Sequence, residues 1–225
     1  MREEFYLNKL YPLQDKVLQV MKDLNSKFYL TGGTVVSRFI ASHRYSDDLD
    51  FFLNMDKDFL LEATKVKDKL SLHFRSNIEV TYNSDTFYRI MVTDADTVLK
   101  LDFVNDVGFH SGDFVENLYY HKLDNAKNIL SNKLSALQRN AAKDISDILF
   151  LSFTQVFNWL DIIEDAQKKD TWVNEIDVAT YLDSYDISQL ETVLWTKVPD
   201  YNYLKQCLHT IAKDILLGAE NSLKS

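Results

Sequence analysis

Near residue 125 the spacing of apolar side chains changes, and that change constrains the fold more than any other feature of the chain. Upstream, period-two and period-3.6 patterns alternate. Leu13, Val17, Val20, Met21 and Leu24 mark an amphipathic helix, residues 28–31 a short strand and 34–42 a helix. A second strand is expected over 48–53, then a helix over about 56–72 with Asn54 as its cap. Three β-rich segments follow, at 77–82, 86–93 and 97–104. Downstream the pattern is helical almost to the end. Leu130, Leu134, Leu137, Ala141, Ile145 and Ile148 form one stripe, and Leu208, Ile211, Ile215 and Leu216 another. The expected fold class is α+β: a mixed sheet with flanking helices over residues 1–124, then an all-helical domain over 125–225.

Composition narrows the setting. The net charge of −9 argues against a protein that coats nucleic acid nonspecifically, because such binding needs clustered positive charge. The single cysteine, Cys207, excludes an intramolecular disulfide and a cysteine metal site, and its spacing suits a helix core. No apolar run reaches bilayer length, and the first ten residues lack the pattern of a secretory signal. These features predict a cytoplasmic protein without a membrane partner.

The chemistry concentrates in residues 30–52. A strand that ends in Gly32-Gly33 and turns into a helix lets backbone N–H groups approach a phosphate, although a plain tight turn fits equally well. Asp48 and Asp50 stand two apart, so both emerge on one strand face while Leu49 and Phe51 turn inward. Carboxylates this close repel unless a cation lies between them, and oxygen-only ligands suit Mg²⁺, with Mn²⁺ as a substitute. The bland alternative is a solvated Asp-rich turn. Asp102, on the same face as Lys100 in a strand whose other face is Leu99, Leu101 and Phe103, completes the trio that phosphoryl chemistry uses.

The order Gly-Gly, Ser-x-Asp-x-Asp, then a later Asp resembles the DNA polymerase β-type nucleotidyltransferase superfamily. More narrowly, residues 30–34 (LTGGT) and 44–52 (RYSDDLDFF) resemble the AbiEii/AbiGii toxin family, which includes the MenT-like toxins. Residues 133–139 (KLSALQR) and 143–147 (KDISD) match that family's two helical motifs. The resemblance covers residues 28–150. It implies a nucleotidyltransferase-type sheet whose helical domain completes the nucleotide site, and a metal-dependent enzyme that moves a nucleoside monophosphate from a nucleoside triphosphate to a hydroxyl. The acceptor it implies is an RNA 3′ end, tRNA above all, and the role that of a toxin with a cognate antitoxin.

On this reading Asp48, Asp50 and Asp102 are catalytic metal ligands, and Lys133 is catalytic on the phosphates. Gly32, Gly33, Thr34, Ser46 and Asp144 bind the nucleotide. Lys133, Asn140, Asp144 and Asp147 share one helical stripe; without the family they read as an exposed helix with ordinary pairing. Arg38, Arg44 and the Lys133–Lys143 stretch are the expected basic surface for RNA. Two rivals remain: a catalytically silent nucleotide-binding module on the same fold, and an enzyme that modifies protein.

Overall fold

A computed structural model describes residues 2–74 and 77–224. The chain divides into two compact units. The first comprises residues 1–35 and 46–124, the second 36–45 and 125–225.

The first unit opens with a short helix α1 (Arg2–Phe5), wider π-type turns over Tyr6–Leu10, and helix α2 (Tyr11–Asp23). Strand β1 (Tyr29–Thr31) runs into a single turn α3 (Gly32–Thr34), which continues as π-type turns over Val35–Ile40. Then come β2 (Leu49–Asn54), α4 (Phe59–Phe74), β3 (Ile78–Asn83), β4 (Phe87–Asp94) and β5 (Thr97–Asp106). The five strands form one mixed sheet in the order β1-β2-β5-β4-β3, in which only β2 and β5 are parallel.

Alternation decides which face is buried. Leu49, Phe51, Leu99, Leu101 and Phe103 are fully enclosed on the face that α2 and α4 cover. Phe28 meets Phe59 and Phe103 edge-on at 5.9 and 4.9 Å between ring centres, with Phe51 stacked on Phe103 at 5.3 Å. Each such ring removed from water stabilises the sheet by roughly 1.5–3 kcal/mol. The opposite face carries Asp50, Lys100 and Asp102. The expected strands are all present, shifted by one or two residues. Asn54, however, is the last residue of β2 and donates to the Val107 carbonyl at 2.7 Å, so it caps no helix.

The second unit holds α5 (Ala126–Ser135), α6 (Ala142–Thr154), α7 (Trp159–Gln167), α8 (Glu175–Asp183) and α9 (Tyr201–Leu217). Side chains of Asn125, Asn158, Asn174 and Asp200 cap α5, α7, α8 and α9 by accepting first-turn N–H groups. The single helix expected across 130–148 is broken. A 3₁₀ turn at Leu137–Arg139 ends on Asn140, whose φ of 50° is left-handed, and α6 starts afresh. Segment 36–45 joins this unit through Tyr45 N–H to the Leu194 carbonyl (2.8 Å) and Thr196 N–H to the His43 carbonyl (3.0 Å). Cys207 is buried in α9, as its spacing predicts.

Candidate active site

Strand β1 delivers the glycine turn to the edge of β2. Thr31 is the register partner of Asp50, so Gly32 lies against that carboxylate. Its φ is +72°, and a Cβ built on it would stand 2.6 Å from Asp50 Oδ2. Only glycine satisfies both conditions here.

Asp48 lies in the loop just before β2, and hydroxyl and amide groups hold that loop. The Thr34 hydroxyl donates to the Asp48 carbonyl and shares a 2.9 Å hydrogen bond with the Ser46 hydroxyl. Gln14, fully buried in α2, donates its amide N–H to the Ser46 carbonyl at 3.1 Å. Tyr6 donates its hydroxyl to Asp47 Oδ1 at 2.5 Å. Burial and this carboxylate push the Tyr6 phenol well above its ordinary range.

Across the sheet, Asp50 and Asp102 are register partners on parallel β2 and β5, and Arg89 on β4 faces Asp102. Arg89 makes a two-pronged contact, Nε to Oδ1 at 2.6 Å and a terminal nitrogen to Oδ2 at 2.9 Å. Lys100 Nζ stands 2.8 Å from Asp48 Oδ2 and 3.4 Å from Asp102 Oδ2. Burial alone would lower the Lys100 ammonium, but Asp48, Asp102 and Asp50 outweigh it and raise it. Lys100 thus places one positive charge of the chain's own between Asp48 and Asp102.

Among the described residues, no three His, Cys, Asp or Glu side chains form a ready-made metal cage. The donor chemistry nevertheless suits a hard cation: the three acids offer carboxylate oxygens alone, and two of them already converge on one positive charge. Arg89, Gln14 and Tyr6 were not foreseen.

The helical-unit residues lie in a buried charge network. Asp147, fully enclosed, accepts from Arg44 Nε and a terminal Arg44 nitrogen (both 2.8 Å), and Lys133 Nζ lies 2.7 Å from it. Lys133 Nζ also donates to Asp144 Oδ1 at 2.6 Å, and Arg139 Nε to Asp144 Oδ2 at 2.6 Å. Lys133, Asp144 and Asp147 therefore come together across the break at Asn140 rather than along one exposed helix. Arg44 and Lys133 are 4% and 5% exposed, which corrects their assignment to an RNA-facing surface; Arg139 and Lys143 are exposed.

His43 Nε2 lies 3.0 Å from Asp147 Oδ1, so it carries the proton, while Nδ1 is buried without a partner. Burial lowers the His43 pKa from 6.5; Asp147 opposes that shift, whereas Arg44 and Lys133 reinforce it. Burial would raise Asp147 and Asp144, but Lys133 with Arg44 and Arg139 respectively holds both below the ordinary 3.8. Burial would lower Lys133, but Asp147 and Asp144 raise it above 10.5.

The signs give a window. A carboxylate lowered by folding contributes stability above its unfolded pKa and loses it as pH falls through the folded value; His43, also lowered, does the same below 6.5. Lys133 contributes below 10.5 and loses that contribution as pH rises through its folded value. Unfolding free energy should therefore be greatest between these limits and begin to fall below pH 6.5. Urea titrations at a series of pH values test this, and a profile flat from pH 7 to 5 would contradict the His43 assignment.

No helix among the described residues is long and apolar enough to cross a membrane. No curated protein matches the chain significantly. Solved structures that share its fold include two from one bacterium. A candidate nucleotidyltransferase from Helicobacter pylori has 20% identity and a TM-score of 0.60, over 90% of this chain and 93% of that one. JHP933 from Helicobacter pylori has 19% identity and a TM-score of 0.58, over 93% and 90%. The family model described as the nucleotidyl transferase AbiEii toxin of type IV toxin–antitoxin systems matches residues 18–175, which include Asp48, Asp50, Asp102, Lys133 and Asp147. By that match the chain belongs to the AbiEii nucleotidyl transferase toxin family.

Proposed function

We propose that the chain moves a nucleoside monophosphate from a nucleoside triphosphate onto the 3′ hydroxyl of an RNA, with tRNA ends as the foremost acceptor. The observation that carries this reading is the register of Asp50 with Asp102 beside the turn at Gly32. It sets two carboxylates next to a backbone that a phosphate can approach.

Asp48, Asp50 and Asp102 are the residues that would hold Mg²⁺, or Mn²⁺ in its place. Bound there, the ion would offset the charge of the triphosphate oxygens. Gly32, Gly33 and Thr34 present backbone N–H groups to the phosphates, and Ser46 with Thr34 keeps the Asp48 loop in place. Reaching a phosphate would require Lys133 to leave both Asp144 and Asp147. The reading therefore gives Lys133 and Asp144 the upkeep of the helical unit and looks for the phosphate-binding cation on the sheet. Rate enhancement then rests on positioning and charge rather than on a covalent intermediate. A cytoplasmic setting and a cognate antitoxin complete the proposal, in keeping with the family.

The test incubates the protein and Mg²⁺ with each labelled nucleoside triphosphate and total RNA, with and without periodate oxidation of the 3′ ends. Label should enter RNA and vanish after oxidation, and should fall modestly as salt rises because the contacts to phosphate are few. Label that survives oxidation would refute 3′-end transfer. Label found only on protein would make the protein-modifying rival correct, and none at all would favour the silent module.

A further inference from the structure

Lys100 touches two of the three acids of the candidate site, at 2.8 Å from Asp48 and 3.4 Å from Asp102. Asp102 does not depend on it, because Arg89 already occupies both carboxylate oxygens with a planar fork. Lysine and arginine differ in what they can release. The guanidinium is fixed by two parallel bonds, whereas the ammonium is a point charge on a flexible stem. The Lys100 side chain retains 30% of its exposure and that of Asp48 25%, so the contact opens to solvent.

Charge points the same way. Three carboxylates against Lys100 and Arg89 leave one net negative charge on this face, and a single divalent cation turns the balance positive. A balance that changes sign on loading suits a polyanionic ligand better than permanent storage of a metal.

We propose that Lys100 is an exchangeable counter-cation: it holds Asp48 and Asp102 together in the metal-free protein, and gives up Asp48 to a divalent cation to bind the triphosphate. This rests on the reading that the three acids take up that cation. The consequence is a pair of opposite effects from one side chain. Lys100 competes with the metal for the same oxygens, yet assists the phosphates once the metal is bound. A lysine that merely stabilised the sheet would not move the two affinities in opposite directions.

The experiment uses the full chain as wild type, Lys100→Met and Lys100→Gln, with Asp50→Asn as the control. Free Mn²⁺ is followed by electron paramagnetic resonance, and labelled inorganic tripolyphosphate, which needs no choice of base, is followed by equilibrium dialysis. Both Lys100 variants should bind Mn²⁺ about tenfold more tightly and, at saturating Mn²⁺, tripolyphosphate about tenfold more weakly, the scale of one charged contact. In metal-free buffer they should melt below wild type, with Mn²⁺ closing the gap. Unchanged or weaker Mn²⁺ binding in both variants, with Asp50→Asn impaired, would overturn the exchange but keep the metal site. If Asp50→Asn leaves Mn²⁺ binding intact, the metal reading itself fails and the exchange with it. Both affinities moving in the same direction would reduce Lys100 to a structural residue and overturn the proposal.

Discussion

Replacing Asp147 with Asn should destabilise the helical unit by about 3–5 kcal/mol, the usual cost of removing one partner from a buried ion pair. The carboxylate is fully enclosed and serves Arg44, Lys133 and His43 at once. An amide of the same shape keeps the volume but places a donor among donors. Arg44 and Lys133 would then remain buried, with Asp144 the only acid of this network left, already shared between Lys133 and Arg139. Asp144→Asn should cost less, because Arg139 is 56% exposed and can turn to water while Lys133 keeps Asp147. All three tryptophans, Trp159, Trp172 and Trp195, belong to the second unit, so their fluorescence during urea unfolding follows that unit. A loss of under about 1 kcal/mol for Asp147→Asn would show that the network is dispensable, since that is the range of ordinary surface contacts.

Gly32→Ala should reduce nucleotidyl transfer by about two orders of magnitude or more, the scale on which a misplacement of about 1 Å acts on a reacting centre. A left-handed backbone at a residue with a Cβ costs about 1–2 kcal/mol. The added methyl would also stand 2.6 Å from Asp50 Oδ2 and 3.4 Å from its Cγ, so the carboxylate itself must move. Turnover should fall much further than the melting temperature, because the displaced group is central to the site and peripheral to the core. Single-turnover rates beside thermal melts test this. Transfer within threefold of wild type, roughly 0.7 kcal/mol, would detach the glycine turn from the chemistry.

What was legible in the sequence depended on whether position followed from local period. Alternation alone put Leu49 and Phe51 inward and set Lys100 beside Asp102, because a strand side chain has only two faces to choose from. Arg89 was equally within reach. The β4–β5 hairpin pairs Asp94 with Thr97, and counting back along both strands brings Arg89 opposite Asp102. Gln14 and Tyr6 gave no such signal, since their partners lie 32 and 41 residues away and depend on tertiary packing. The break at Asn140 was hidden because apolar residues keep helical spacing straight through it; only the tolerance of Asn for a left-handed backbone hinted at a stop. Taken without the family, Lys133 read as part of an exposed helix for the same reason. A continuous helix would hold its backbone about 16 Å along the axis from that of Asp144, whereas the break lets the two side chains meet.

The chain passes from the first unit to the second at residue 36, returns at 46, and crosses again at 125. During synthesis this order separates partners in time. His43 and Arg44 leave the ribosome about 100 residues before Asp147, which at about 5–20 residues per second is roughly 5–20 s. Once β5 has emerged, and until Asp147 follows, the sheet has its strands and its three acids, while a decapeptide meant for the helical unit has no acid to receive its guanidinium. The nascent chain can therefore assemble its carboxylate face well before the helical unit can close. A pause in translation between residues 106 and 147 would prolong the life of that half-made species.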